Sequence, residues 1–226
     1  MYLPSRRCDV PRSLGQMLLL LIRHGLTDLT ETRLIGRLPG IPLNQKGRAQ
    51  ATAVAELVAP LPVAAIFASP MERTHQTAAP LSSLKGVAVS EAYGLLEVDY
   101  GEWAGQEFKV LRKTDLWKVV QQHPSGARFP GGESVREAQA RIVGTIEEIL
   151  ASHAKDVVAA FSHSDMIKLA VAHFTGVHLD LYQRLAVSAG SVTALQLGSG
   201  PPALVKLNEV GSLDDLKPPP PRRGKN

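Results

Sequence analysis

The apolar run at residues 18–22, LLLLI, ends abruptly at Arg23, His24 and Gly25. A short and continuous apolar run is typical of a strand buried inside a sheet. A strand that stops at a cation, an imidazole and a glycine places these groups at its carboxyl end, where open α/β sheets bind ligands. The run therefore predicts an α/β fold with a functional site at the end of its first strand.

Strand-like runs alternate with helical patterns along the chain. We predict strands at residues 17–22, 64–68, 87–89, 157–161 and 192–197, with 203–207 as an edge or hairpin partner. Asn44 can cap a helix over residues 46–59, and Ser134 begins a longer helix with an apolar stripe. This alternation favours a three-layer sandwich in which helices flank a mainly parallel central sheet.

The chain of 226 residues, 44% hydrophobic, shows no internal shift of composition, so we expect one domain, over residues 17–210. Residues 91–132 hold both tryptophans and a weak helix near 108–122, and are predicted to form an insertion over one edge of the sheet. Residues 1–16 are predicted to be a leader, disordered or a non-native start. Residues 211–226 contain PPPPRRGKN and are predicted to be a disordered, basic tail.

The net charge of +4 lies in the two ends of the chain. Each end carries a net +2, so the body is close to neutral, which argues against a nucleic-acid surface. Cys8 is the single cysteine, so no disulfide framework exists and a reducing cytoplasm is the expected compartment. No stretch is long enough to span a membrane, and the apolar run lacks the small-residue cleavage site of a signal peptide.

Four segments converge on one chemistry. A second strand ends in Ser162 and His163, a third leads into a helix that carries Arg73, and LLEVDYGEWAG supplies Glu97. Two arginines and two histidines at helix amino termini suit a phosphate dianion. An imidazole beside these cations stays neutral and could attack phosphorus, which would make phosphohistidine catalysis feasible. No metal-ligand spacing occurs and the arginines supply positive charge, so neither a metal nor a cofactor is expected.

Six motifs occur in the order found in the histidine phosphatase superfamily, which includes the cofactor-dependent phosphoglycerate mutases. They are RHG with Thr27 (23–27), PLNQKGRAQA (42–51), SPMERTHQTA (69–78), LLEVDYGEWAG (95–105), PGGES (130–134) and SHSDMI (162–167). The chain resembles this superfamily from residue 17 to about residue 197. The resemblance implies the phosphoglycerate mutase-like fold and a small phosphorylated metabolite as substrate.

Carried over position by position, the resemblance implies a role for each matching residue. His24 would be the nucleophile that becomes phosphorylated, and Arg23, Arg73 and His163 would clamp the phosphoryl group. Glu97 would protonate the leaving oxygen and then deprotonate the attacking water; the neighbouring Asp99 and Glu102 are its competitors. Further phosphate contacts are expected from the residues Thr27, Thr30, Ser164 (through its amide) and Arg37, the last of which could equally be a solvated loop cation.

The sequence departs from the family pattern at three of these positions. Family members commonly have Glu after RHG and Asn six residues after the histidine, where this chain has Leu26 and Thr30. The last motif more often reads SHGG or SHGD, so Ser164 reduces backbone freedom beside His163. Thr30 retains a hydroxyl but lacks the amide.

Three functions remain open at this point. The first is a metal-independent phosphomonoesterase of the histidine acid phosphatase type, and the second is a mutase. Residues 79–120 are short and mixed in charge, which favours the phosphatase. The third is a non-catalytic module that binds a phosphorylated ligand, although all five catalytic positions are occupied. Tyr100, Trp103 and Phe129 could form a substrate wall or pack the insertion. A homodimer through an edge strand or helix is also open. The other histidines (75, 123, 153, 173 and 178) match no family position and are expected to be structural or exposed.

Overall fold

A computed structural model describes residues 16–217 and contains one six-stranded sheet. The strands are β1 (Gln16–Arg23), β2 (Val63–Ala68), β3 (Val89–Glu91), β4 (Val157–Ser162), β5 (Val192–Gly198) and β6 (Ala203–Glu209). Their order across the sheet is β3-β2-β4-β1-β5-β6. The first four run parallel to one another, β5 is antiparallel to β1, and β6 is antiparallel to β5.

Helices cover both faces of the sheet. They are α1 (Gln45–Val58), α2 (Glu72–Lys85), α3 (Phe108–Leu111), α4 (Asp115–Gln122), α5 (Val135–Ser152) and α6 (Ser164–Thr175). Leu18, Leu20 and Ile22 of β1 belong to a core with α1 and α2, whereas Leu19 and Leu21 belong to a second core with α5 and α6. Since successive side chains of a strand point to opposite faces, a strand between two helical layers must be apolar throughout. The predicted three-layer α/β sandwich is confirmed.

The two predicted helix starts also agree with the structure. Asn44 Oδ1 accepts a hydrogen bond from the Gly47 amide at 2.8 Å and caps α1. Ser134 forms a capping box at the start of α5. A Cβ on Gly47 would lie 2.0 Å from the Leu26 carbonyl oxygen, so glycine lets α1 pack directly against the loop that follows β1.

Three boundaries differ from the sequence prediction. The third strand lies at Val89–Glu91 rather than at 87–89. The weak helix predicted over 108–122 is two short helices, because Thr114 caps α4 by accepting from the Trp117 amide at 3.2 Å.

The predicted start of the tail at residue 211 is also too early. Leu213 and Leu216 are 2% and 8% exposed and pack in the α1–α2 core from a short 3₁₀ turn, Asp214–Leu216. Residues 1–15 of the predicted leader and 218–226 of the predicted tail lie outside the described residues, and Gln16 belongs to β1. No helix between residues 16 and 217 has the length and apolarity needed to cross a bilayer.

Candidate active site

The carboxyl ends of β1 and β4 bring the two predicted site histidines together. These strands are parallel neighbours with Arg23 opposite Ser162, and the His24 amide donates to the Ser162 carbonyl at 3.1 Å. The rings of His24 and His163 consequently meet edge to face, with 5.2 Å between their centroids. Both side chains are buried.

The His24 ring is held in one tautomer. Its Nδ1 lies 2.7 Å from the Gly25 carbonyl oxygen, which can only accept, so Nδ1 carries the proton. The opposite nitrogen, Nε2, therefore has a free lone pair, toward which Arg73 Nε donates at 3.3 Å. Burial, followed by the charges of Arg73 and Arg23, lowers the pKa of His24 well below its usual value. The imidazole is neutral and has nucleophilic character at Nε2.

Arg73, from the first turn of α2, is almost completely buried between the two histidines. Its Nη2 donates to the Gly36 carbonyl at 2.7 Å and lies 3.3 Å from His163 Nδ1. His163 Nε2 lies 2.9 Å from Ser69 Oγ. Burial first, and then the Arg73 charge, lowers the pKa of His163 well below its usual value. These contacts fix the Arg73 guanidinium beside His24.

Arg23 provides a second cation at the same place. Its Nη1 donates to the Val187 carbonyl at 2.6 Å, whereas its buried Nε has no hydrogen-bond partner within residues 16–217. A buried N–H without a partner is costly, and an anion bound beside it would remove that cost. His163 does not cap α6 with its side chain, so the first amides of that helix add a second set of donors.

Glu97 lies in the insertion and lines the same pocket as His24, Arg23 and Arg73, a cavity of about 240 Å³. The carboxyl group is 8% exposed, and its Oε1 accepts from the Val98 amide at 3.0 Å. Burial, together with the nearby Asp165 carboxylate, raises the pKa of Glu97 to about 7. A carboxyl group with that pKa can both give and accept a proton near neutral pH.

The raised pKa predicts a pH-dependent stability difference for Glu97→Gln. The folded protein holds the Glu97 proton up to about pH 7, whereas the unfolded chain releases it near 4.5, so the wild type loses stability between these values. Glutamine does not titrate and keeps an oxygen for the Val98 amide. From pH 5 to pH 8 the variant should gain about 2–3 kcal/mol relative to the wild type. Urea unfolding at both pH values measures this, and parallel stability curves would contradict the assigned pKa.

A salt-bridge cluster that sequence reasoning missed holds the backbone around Glu97. Arg141 of α5 donates to the carbonyls of residues 94 and 96 at 2.7 and 2.9 Å, and to Glu133 at 2.8 and 2.9 Å. Arg37 donates to the Glu97 carbonyl and to Glu133 Oε2, both at 2.9 Å. We call Arg37, Glu133 and Arg141 the carbonyl clamp. The PGGES motif contained Glu133, but nothing in it indicated these partners.

The remaining predicted contacts divide into two groups. Thr30 and Ser164 line the pocket. Thr27 is buried with its hydroxyl 2.9 Å from that of Thr30, and Arg37 belongs to the carbonyl clamp; neither lines the pocket. Their substrate contacts stay predictions, and the geometry gives both a positioning role.

Neither competitor of Glu97 lines the pocket. Asp99 pairs with Arg37 at 3.5 Å and accepts from the Gly101 amide, and Glu102 is exposed. The remaining histidines also lie away from the pocket lining: His75 contacts Glu91, His153 contacts Asp156, His123 and His178 contact Asp180, and His173 is exposed near the end of α6. Among residues 16–217 no group of three or more His, Cys, Asp or Glu side chains forms a metal site.

A neutral nucleophilic imidazole between two guanidinium groups, with a protonatable carboxyl in the same pocket, defines a site for transfer of a phosphoryl group. Residues 19–210 match the family model described as histidine phosphatase superfamily (branch 1), and the chain belongs to this superfamily. The resemblance stated from its motifs is thereby confirmed.

Individual relatives carry several names. The chain is 26% identical to phosphoserine phosphatase 1 of Hydrogenobacter thermophilus, over 84% of this chain and 91% of that protein. It is also 26% identical to a probable phosphoglycerate mutase of an Enterobacter species, over 80% of this chain and 85% of that one. The alpha-ribazole phosphatase of Shigella flexneri has the same fold, with a TM-score of 0.77 at 22% identity, covering 87% of this chain and 98% of that one.

Proposed function

We propose that this protein is a phosphomonoesterase that hydrolyses a small phosphorylated metabolite through a covalent phosphohistidine at His24. The observation that carries the proposal is the fixed tautomer of His24, whose Nδ1 is bonded to the Gly25 carbonyl while Nε2 is directed to Arg73. A neutral nitrogen lone pair beside two cations is suited to attack a phosphoryl group. Relatives named phosphatases support the same activity.

In the first step, His24 Nε2 attacks phosphorus and the bond from phosphorus to the ester oxygen breaks. Glu97 gives its proton to the departing oxygen, so an alcohol leaves instead of an alkoxide. Arg23, Arg73 and His163 clamp the phosphoryl oxygens, and the fixed positive charge stabilises the transition state. Thr30 and the Ser164 amide, which line the pocket, complete the phosphate contacts.

In the second step, water attacks the phosphohistidine. Glu97, now a carboxylate, takes a proton from the water as the new bond from oxygen to phosphorus forms and the bond to Nε2 breaks. Inorganic phosphate leaves, and both His24 and the Glu97 proton are restored. The two guanidinium groups supply the positive charge of the site, so we propose that turnover needs no metal ion.

The alternative is a mutase, which one relative's name supports. A mutase must hold its phosphoenzyme away from water and return the phosphoryl group to a second hydroxyl of a carboxylated substrate. The short segment 79–120, mixed in charge, favours hydrolysis instead.

The test combines turnover with trapping of the intermediate. Hydrolysis of p-nitrophenyl phosphate from pH 5 to 8 in excess EDTA should proceed, and rapid quenching with a ³²P-labelled phosphomonoester should give a protein-bound label. A label that survives base and is lost in acid identifies phosphohistidine. A label stable in acid, or turnover that stops in EDTA, would contradict the proposed mechanism.

The carbonyl clamp predicts a selective defect in proton transfer for Glu133→Gln. Loss of the charged partner of Arg141 and Arg37 releases the backbone that carries Glu97, so kcat for ethyl phosphate should fall about tenfold or more. p-Nitrophenyl phosphate, whose leaving group scarcely needs a proton, should be affected less. The same change should lower the free energy of unfolding by about 2 kcal/mol. Steady-state kinetics on both esters and urea unfolding measure the two effects.

Asp115→Asn is the matched control, because that carboxyl is 97% exposed and lies far along the insertion, on α4. It should leave both esters unaffected. Equal losses on the two esters in Glu133→Gln would show that the clamp positions more than the proton donor.

A further inference from the structure

Beyond the phosphate clamp, the pocket is walled by a continuous series of aromatic rings from the insertion. Tyr100 contacts Phe129 with 4.8 Å between ring centroids, and Phe129 contacts Trp103 at 5.5 Å. Trp103 stacks on Trp117 at 6.3 Å, and Trp117 meets Phe108 edge to face at 6.2 Å. All five rings line the pocket that contains His24. The insertion therefore gives this chain an aromatic wall, as one of the two sequence interpretations suggested.

The two outer rings are open to a ligand. Tyr100, Trp103 and Phe129 are buried at 4%, 6% and 2% exposure, and their packing explains how the insertion folds. Phe108 and Trp117 are only partly buried, although burial of an aromatic ring is strongly favourable. A flat apolar group placed against Phe108 and Trp117 would complete that burial.

The cations of this outer part of the pocket already have anionic partners. Lys168 lies 3.5 Å from Asp165 and 3.2 Å from Gln183 Oε1, and its side chain is 14% exposed. Arg33 is paired with Glu107 at 3.1 Å. A carboxylate on the substrate would have to displace one of these pairs and would face the Asp165 charge. The charge pattern thus disfavours a carboxylated leaving group.

We infer that the substrate is a phosphomonoester of an uncharged alcohol that carries an aromatic ring. This inference rests on the proposed phosphomonoesterase activity and assigns the leaving group of that reaction. The phosphoryl group occupies the clamp at His24, and the ring lies against Trp117 and Phe108. O-Phosphoserine and phosphoglycerates, which bear a carboxylate, are then poor substrates, although relatives carry names that refer to such compounds.

The first test compares esters of unactivated alcohols on the full-length protein. 2-Phenylethyl phosphate and ethyl phosphate differ by the ring alone, while O-phospho-L-serine and 3-phosphoglycerate carry carboxylates. Release of inorganic phosphate should give a kcat/KM for the phenylethyl ester about tenfold above that for ethyl phosphate, and higher still relative to both carboxylated esters. A carboxylated ester that equals or exceeds the phenylethyl ester overturns the inference alone. Absence of hydrolysis for every ester, p-nitrophenyl phosphate included, overturns the proposed function as well.

The second test locates the ring. Trp117→Ala should raise KM for 2-phenylethyl phosphate about tenfold and leave ethyl phosphate unchanged, because only the ring contact is lost. Lys118→Ala, on the same helix with a side chain 68% exposed, is the matched control and should change neither ester. Equal KM effects of Trp117→Ala on the two esters would overturn the assignment. Phe108→Ala provides the same comparison if the tryptophan variant does not fold.

Discussion

His24→Ala should reduce hydrolysis of p-nitrophenyl phosphate by about 10⁴-fold or more, because the variant has no nucleophile at the position where phosphorus is attacked. No other histidine can replace it: His163 is buried with its ring nitrogens engaged by Arg73 and Ser69. Steady-state kinetics and the quenched labelling experiment should both show the loss. The label should be absent from the variant, since no phosphoenzyme forms.

Two controls separate loss of the nucleophile from loss of the fold. His173→Ala removes an exposed histidine near the end of α6 and should retain full activity. Calorimetric titration of His24→Ala with inorganic phosphate should still show binding, because Arg23 and Arg73 remain. Ordinary turnover by a folded, phosphate-binding His24→Ala protein would refute the nucleophile assignment.

Glu97→Gln should separate ethyl phosphate from p-nitrophenyl phosphate. Ethoxide is a poor leaving group that needs a proton as it departs, so kcat for ethyl phosphate should fall about 10²- to 10⁴-fold. Nitrophenolate leaves without a proton, so formation of the phosphoenzyme from that ester should fall by about tenfold or less. Pre-steady-state release of nitrophenol isolates this first step from the later attack of water, in which Glu97 also takes part.

The pH profile provides a second measure of the same group. Only protonated Glu97 can give a proton, so wild-type kcat/KM for ethyl phosphate should fall as the pH rises through about 7, the pKa set by burial and Asp165. Glu97→Gln should lack this limb. Glu102→Gln, which changes an exposed carboxyl five residues away, is the control and should keep it. A descending limb that persists in Glu97→Gln would assign the proton to another residue.

The sequence predicted much of the central architecture because its signals are local. The run at residues 18–22 is apolar at every position since both faces of β1 are covered, and Asn44 and Ser134 mark the helix starts with their own side chains. The site could be predicted for a similar reason: parallel strands end at one edge, so His24 and His163 had to meet.

The remaining features depend on pairing between distant residues. Arg37 and Glu133 are 96 positions apart, and no local pattern shows that a loop cation contacts that carboxyl instead of a substrate. Leu213 and Leu216 come shortly before a proline-rich segment, so composition alone assigned them to the tail although they are buried in the core. Thr27 and Thr30 are chemically alike, and only the conformation of their loop determines which one lines the pocket.

The nucleophile and the proton donor belong to parts of the molecule with different protection against local opening. His24 extends from β1, which lies between β4 and β5 and is buried along nearly all of its length, whereas Glu97 is carried by irregular backbone joined to α5 through the carbonyl clamp. Segments with few regular hydrogen bonds exchange their amides at lower free energy than central strands. We therefore expect mild denaturant to abolish hydrolysis of alkyl esters before it releases the amides of β1, so that the chemistry fails while the centre of the sheet stays folded.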